Sequence, residues 1–362
     1  MTNSQADARS DPQADDAGAM LRETADRLLA DRLTPQIRAR GAAGEWPGDL
    51  WAALDELGLP AAILPEAAGG FGVPVADALS LLTVAGRHAL PLPLADTMLA
   101  GLALARAGIA IPPGPLAVAQ GSEVRLDAAG RATGQAWGVS FGRHARAVVV
   151  LADGPDGPVL VALPRDALAI EPGLDIAGDP CDAVRVEAVP APSAPAPFGA
   201  AELRAAGAAT RALMMAGALD AVSAMTVGYA NERRQFGRAI GQFQAVQQSL
   251  AVLAGQAASA AVAAGLAAEA VAAWAGASGP GLLPAVAAAK VRTGEAAGQG
   301  TAIAHQVHGA IGFTQEHRLH RYTGRLRAWR DAFGREAEWA QVLGRHLIAA
   351  GPDGLWPAIT AA

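Results

Sequence analysis

The chain has 362 residues and a mass of 36.4 kDa, long enough for more than one hydrophobic core. Its 34 acidic and 28 basic side chains give a net charge of −6 and a pI near 5.7, which excludes the basic stripe of a nucleic-acid-binding protein. The single cysteine, Cys181, excludes an internal disulfide, and 52% hydrophobic with 17% charged residues is a globular composition, neither disordered nor fibrous.

Residues 1–19, opening MTNSQADARSDPQADDAG, are polar and acidic with neither a basic start nor an apolar run. They read as a disordered tail and not as a secretory signal. An N-terminal helical domain is expected over 20–112. Leu21, Ala25, Leu28 and Leu29 share one helical face, and a second helix runs through Leu50, Trp51, Leu54 and Leu57 to a stop at Gly58. Gly69, Gly70 and Gly72 mark a plain loop, since no strand precedes them and no Gly-Lys-Ser/Thr follows. Further helical runs cover 76–87 and 95–107.

The texture changes at the prolines of 111–115, and a small middle β domain is expected over 113–192. Apolar runs at 147–151 and 159–163 flank A-D-G-P-D-G-P, a hairpin-like connection, and Val184, Val186 and Val189 alternate with polar neighbours. Pro190, Pro192, Pro195 and Pro197 read as a stiff linker. From 193 to 362 the chain is helical again, in long Ala/Leu-rich segments at 202–233, 244–275, 283–308 and 336–349, as in a packed bundle. There is no strand–GxGxxG–helix unit, so no Rossmann alternation. The uncharged stretch 257–268, bounded by Gln256 and Glu269, is short of a membrane span, and cytoplasm is the expected location.

Two C-terminal motifs carry the chemistry. The first is N-E-R-R-Q-F-G-R-A-I-G-Q-F-Q-A-V-Q at 231–247, and the second is H-Q-V-H-G-A-I-G-F-T at 305–314. Together they resemble the flavin-binding signatures of the acyl-CoA dehydrogenase family, E-R-x-x-F-G-x-x-I-x-x-F-Q-x-x-Q followed by Q-x-x-G-G-x-G-F/Y. Lys290 stands where members often carry a helical lysine. The segment P-L-P-L-A-D-T at 91–97 is similar to short bacterial members. The resemblance implies a mainly α fold with a central β-barrel-like domain and a C-terminal four-helix bundle. It also implies FAD as cofactor: Arg233, Gln235, Phe236, Gly237, Phe243 and Gln244 would grip its adenine-diphosphate half, largely that of a neighbouring subunit. Gln306, Gly309 and Gly312 would hold the other side. A forked guanidinium suits a pyrophosphate, Phe offers a stacking face, and glycine lets backbone approach closely.

The implied reaction is α,β-dehydrogenation of an acyl-CoA thioester with hydride transfer to flavin N5, which requires a base at the α carbon. Counting from Gly309, the family's usual glutamate position falls on Phe333, which cannot accept a proton. In a minority of members the base lies on the helix before the R-x-x-F-G motif, a position falling here on Gly207, with Ala208 beside it and Arg204 and Arg211 a turn away. Asp331 is the remaining candidate, with a salt bridge to Arg330 or Arg327 as its plain alternative. The loops that cover a flavin ring in active members are reduced to Gly121-Ser122-Glu123 and to G-Q-A-W-G-V-S at 134–140, in which Trp137 is expected in the core. His305, His308, His317 and His320 form two H-x-x-H pairs, but glycines separate the pairs and Arg318 and Arg321 would repel a cation, so no metal is assigned.

Three readings follow. The first is an FAD-dependent acyl-CoA dehydrogenase that passes electrons to an electron-transfer flavoprotein or similar acceptor. The second is a catalytically silent, FAD-clamping subunit of a heteromeric acyl-CoA dehydrogenase of the kind used in bacterial steroid degradation. The third is a flavin-free scaffold of the same fold. A homo- or hetero-oligomer with a homologous subunit is expected in the first two.

Overall fold

The computed structural model describes residues 12–276 and 281–360. Five helices come first: α1 (Pro12–Arg32), α2 (Pro35–Ala42), α3 (Gly48–Glu56), α4 (Val75–Arg87) and α5 (Leu94–Arg106). α1 already begins at Pro12, which corrects the expected tail over 12–19; the rest of that expectation, residues 1–11, lies outside the described residues. α5 is buried from Leu94 to Leu104, as its unbroken apolar run requires, and Asp96 is the one charged residue in that stretch.

Nine strands follow: β1 (Leu116–Val118), β2 (Gly121–Ser122), β3 (Arg125–Leu126), β4 (Arg131–Ser140), β5 (Ala147–Gly154), β6 (Gly157–Pro164), β7 (Ala169–Glu171), β8 (Cys181–Pro190) and β9 (Ser193–Pro195). They form one sheet in the order β7-β8-β4-β3-β5-β6-β9, with β1 on β5 and β2 on β4. The expected hairpin is β5–β6, in register from Ala147 opposite Pro164 to Gly154 opposite Gly157. Two register shifts in the β4–β8 pairing bend the sheet around its own core of Val148, Val161, Leu163 and Val184. The proline segment is not a free linker: Ser193, Ala194 and Pro195 pair with β6, because prolines are tolerated on an edge strand.

The remaining elements are α6 (Ala200–Glu232), a hairpin of β10 (Arg234–Gln235) and β11 (Arg238–Ala239), then α7 (Gln244–Ala275), α8 (Leu282–His308), α9 (Leu319–Asp331) and α10 (Glu336–Thr360), which breaks at Gly351 (φ 72°). α9 escaped the sequence reading because arginines crowd it, although Leu319, Tyr322, Leu326 and Trp329 bury one face. α6 and α7 are each long and apolar enough to cross a membrane by length and composition, since the uncharged part of α7 runs beyond the stretch noted in the sequence. α6 lies in the centre of the helical layer, while α7 turns Val252, Val262 and Leu266 outward.

The helices before and after the β domain share a single core, from Leu50 and Leu82 through Met215 and Leu219 to Val271 and Leu326. α4 and α6 cross where glycines remove the obstacle. A Cβ on Gly86 would lie 2.0 Å from the Met214 carbonyl oxygen, and one on Gly217 would lie 1.9 Å from that of Thr83. Both obstacles are backbone, so neither helix can yield by a rotamer change. Gly217→Ala is therefore expected to cost about 1–3 kcal/mol of stability through overpacking, read as a lower urea midpoint, with Gly217→Leu failing to fold.

Candidate functional site

The two signature motifs meet at one end of the bundle. In the last turns of α6, Tyr229 stacks on His308 at the end of α8, with ring centroids 4.5 Å apart, and His308 faces His317 at 4.7 Å. Burial lowers the proton affinity of His305, His308 and His317, so this junction is an apolar stack, and no cluster of three metal-ligating side chains exists among the described residues. Beyond Tyr229 the chain leaves α6 at Arg233 and forms the β10–β11 hairpin, with Gln235 opposite Arg238. Its two-residue turn is Phe236-Gly237, with φ of 50° and 81°, a geometry glycine adopts freely and phenylalanine does not. That strained turn holds the Phe236 ring 90% exposed. Phe243 stands edge-on to it at 6.1 Å, half-buried under the Arg238 guanidinium. Arg233 is exposed and has no ion-pair partner among the described residues, and Gln235, Gln244 and Gln306 are exposed too. Gly309 ends α8 at φ 65° with nothing within 4 Å of where a Cβ would be, an open backbone cradle. Gly312 differs: it is buried, and a Cβ there would press on His305, His308 and Leu319, so its smallness serves internal packing.

The second half of the site is the end of α9. Lys290, fully buried on α8, donates three hydrogen bonds from Nζ to the carbonyls of Trp329 (2.9 Å), Arg330 (3.0 Å) and Ala332 (3.0 Å). It thus caps the C-terminus of α9, where unpaired carbonyls attract a cation. The next residue, Phe333, is 3% exposed and held at φ 56°. Its N–H donates to Gln120 Oε1 (2.8 Å), and its carbonyl accepts from Arg204 Nε and Trp339 Nε1, both at 3.1 Å. Its ring lies on the backbone of α6: a Cβ on Gly207 would sit 2.4 Å from Phe333 Cε1. The two positions expected to carry a base thus meet in space, and aromatic carbon fills the place between them.

Beside this contact is a cavity of about 290 Å3 among α5, β4, the loop 172–180, α6 and α9. Its wall carries a buried ion pair that sequence reading missed. Arg211 Nη2 donates to both carboxylate oxygens of Asp96 (2.8 and 2.7 Å), with each side chain 4% exposed, and approaches Ser140 Oγ at 3.4 Å. Burial pushes the Asp96 carboxyl upward while the guanidinium pulls it down. A lone acid inside an apolar helix was the available signal, because a buried charge needs a partner. Asp331 also lines the cavity but is 54% exposed, and its ion pair is with Arg335 at 3.4 Å, not with Arg330 or Arg327 as expected. Cys181, also at the wall, is pushed up to about 11 by burial and is a poor nucleophile. Trp137 is not a core residue: it is 44% exposed and packs flat against Gly121.

The descriptions "Acyl-CoA dehydrogenase, N-terminal domain" and "Acyl-CoA dehydrogenase, C-terminal domain" match residues 15–110 and 203–347. The chain belongs to the acyl-CoA dehydrogenase family. It is 31% identical, over 84% of its length and 88% of the relative's, to acyl-CoA dehydrogenase IpdE2 of Mycobacterium tuberculosis. The IpdE2 protein of Mycolicibacterium smegmatis is 29% identical over 84% of this chain and 90% of its own. Among solved structures, a variant of the Tcur3481-Tcur3483 steroid ACAD superposes with a TM-score of 0.83 and 30% identity, covering 93% of this chain and 99% of that one. The ChsE4-ChsE5 complex of M. tuberculosis gives 0.82 at 23% identity over 96% and 100%, a likeness of fold.

Set in the acyl-CoA dehydrogenase fold, Lys290 is the residue that fixes Phe333 over Gly207. Burial and the nearby Arg211 push its ammonium down to about 7, below the ordinary 10.5 of an unfolded lysine. Between those values the unfolded chain holds more protons than the native one, so the Lys290 contribution to stability rises with pH from about 7 upward. Lys290→Met has no proton to lose. Urea midpoints at pH 7, 8 and 9 are expected to show a wild-type advantage over the variant that widens with pH. At neutral pH the variant is expected to be weaker by roughly 2–4 kcal/mol, from the carbonyls left without a donor.

Proposed function

We propose that this chain is the flavin-clamping, base-free subunit of a heteromeric acyl-CoA dehydrogenase acting on the CoA thioester of a steroid-derived acid. The observation that carries this reading is the Phe333 ring seated on Gly207, which leaves no carboxylate at either place where the family's base stands. The likeness to a steroid ACAD and to a two-component complex supports the same reading.

The residues present fit an FAD. Arg233 offers an exposed fork without an ion-pair partner among the described residues, suited to a pyrophosphate, Phe236 an exposed aromatic face, Gln306 an amide, and Gly309 an open backbone. When bound, the flavin accepts the hydride that leaves the β carbon and passes electrons on to an electron-transfer flavoprotein or similar acceptor. This chain's part is to neutralise the diphosphate and orient the dinucleotide across the interface. The homologous partner supplies the carboxylate that takes the α proton. Within this chain, the Asp96–Arg211 pair makes the cavity wall polar, which disfavours an apolar acyl chain there.

A second reading is an autonomous dehydrogenase with Asp331 as base, and it is favoured by the presence of Asp331 at the cavity wall. Purification of the chain alone and co-expressed with its genomic-neighbour homologue separates the two. The chain alone is expected not to bleach flavin on addition of acyl-CoA, and the co-expressed complex is expected to be yellow and to bleach. Bleaching by the isolated chain, abolished in Asp331→Asn, would establish autonomy instead, and a complex without flavin absorbance would leave the scaffold reading. In the complex, Arg233→Ala is expected to weaken FAD retention about tenfold or more, the worth of one charge-assisted hydrogen bond.

A further inference from the structure

Far from the flavin motifs in sequence, four arginines come together between α2, the chain after α4 and the start of α9. Arg38 on α2 and Arg321 on α9 form the shared wall of two adjoining cavities of about 500 and 510 Å3. Arg325 lines the first and Arg318 the second. Two carboxylates accompany them: Asp179, bound by Arg325 Nη2 at 2.6 Å, and Glu316, which makes no ion pair among the described residues. Arg38 spends one nitrogen on the His88 carbonyl at 2.8 Å, and Asp26 is engaged with His88 and Arg87. Arg318 and Arg321 have no ion-pair partner among the described residues.

Three features show that this is not a solvated charged face. Arg38 is pushed down to about 10 by burial and by repulsion from Arg321, Arg325 and Arg318, so the cations sit close enough to oppose one another. Arg325 is only 8% exposed, and its Nε–H is buried with no acceptor among the described residues. Such an orphan donor costs free energy until something accepts from it. Finally, α9, thirteen residues long, starts at this place with no acidic side chain in its first turn, so the positive pole of the helix adds to the same field.

We propose that these paired cavities bind a small polyanion carrying two or more closely spaced phosphate groups, with Arg38 and Arg321 gripping it from the shared wall. Forked guanidiniums match phosphate oxygens two at a time, whereas a carboxylate of a protein segment would have to reach a recessed Arg38. The volume suits a nucleotide-sized ester. A nucleoside triphosphate and the bisphosphate end of coenzyme A share this chemistry. The site does not depend on the subunit reading, because none of its residues belongs to the flavin motifs.

The test is thermal unfolding of the full chain with millimolar pyrophosphate, ATP or coenzyme A, against sulfate at matched ionic strength. The wild type is expected to gain several degrees over the sulfate control, and the larger response between ATP and coenzyme A identifies the source of the phosphates. The gain should vanish in Arg38→Gln/Arg321→Gln and persist in Arg233→Ala, which separates this site from the flavin clamp. Without added anion, Arg321→Gln should unfold at or above the wild-type temperature, since a repulsive charge has been removed. An equal response in the double variant overturns the proposal, as does no response beyond sulfate. So does a double variant that changes only the oligomeric mass, which would assign the arginines to a protein contact.

Discussion

A single buried lysine shapes this end of the bundle. Lys290 reaches from α8 into the end of α9 and satisfies three carbonyls that no backbone donor can reach. A helix terminus inside a protein must find such partners or move to water. With α9 ended there, the following residues turn at Phe333 and Gly334, both at positive φ, and the Phe333 ring is directed onto α6. Gly207 then has to be glycine, since any side chain would occupy the volume of the ring. Trp329, Asp331 and Ala332 of that capped end form one wall of the cavity, opposite the Asp96–Arg211 pair.

Charge is distributed over the molecule in three different states of solvation. At the hairpin, Arg233 is in water and available. In the cavity wall, Arg211 is buried and fully engaged by a bidentate carboxylate. Between α2 and α9, Arg38, Arg321 and Arg325 are recessed and Arg318 is exposed, and together they outnumber their acids. Positive charge is thus gathered locally although the chain as a whole is negative.

Much of the architecture was legible in the sequence because burial writes a period into it. The runs at 76–87 and 244–275 became α4 and α7 within a residue, and the alternating valines became β8. The motif at 231–247 placed Arg233 and Phe236 together, and Phe333 and Gly207, singled out by counting from the motifs, are in contact. What sequence did not disclose were relations between distant segments. Asp96 and Arg211 are 115 positions apart, and neither lies in a motif that names the other. β9 was hidden because its prolines suit an edge strand as well as a linker, a distinction only the partner strand makes. Gly312 looked like Gly309 in the motif, yet one faces its own core and the other opens outward. α9 was obscured by its arginines, two of which, Arg321 and Arg325, line the cavities beside it.

The packing of Phe333 on Gly207 also bears on what position 333 can hold. A glutamate at 333 would enter a position 3% exposed, against helix backbone, with Arg204 already bound to Glu338 and to the carbonyl of residue 333, and Arg211 to Asp96. Burial there would disfavour its charged form. Packing and charge together therefore close position 333 to an ionised carboxylate.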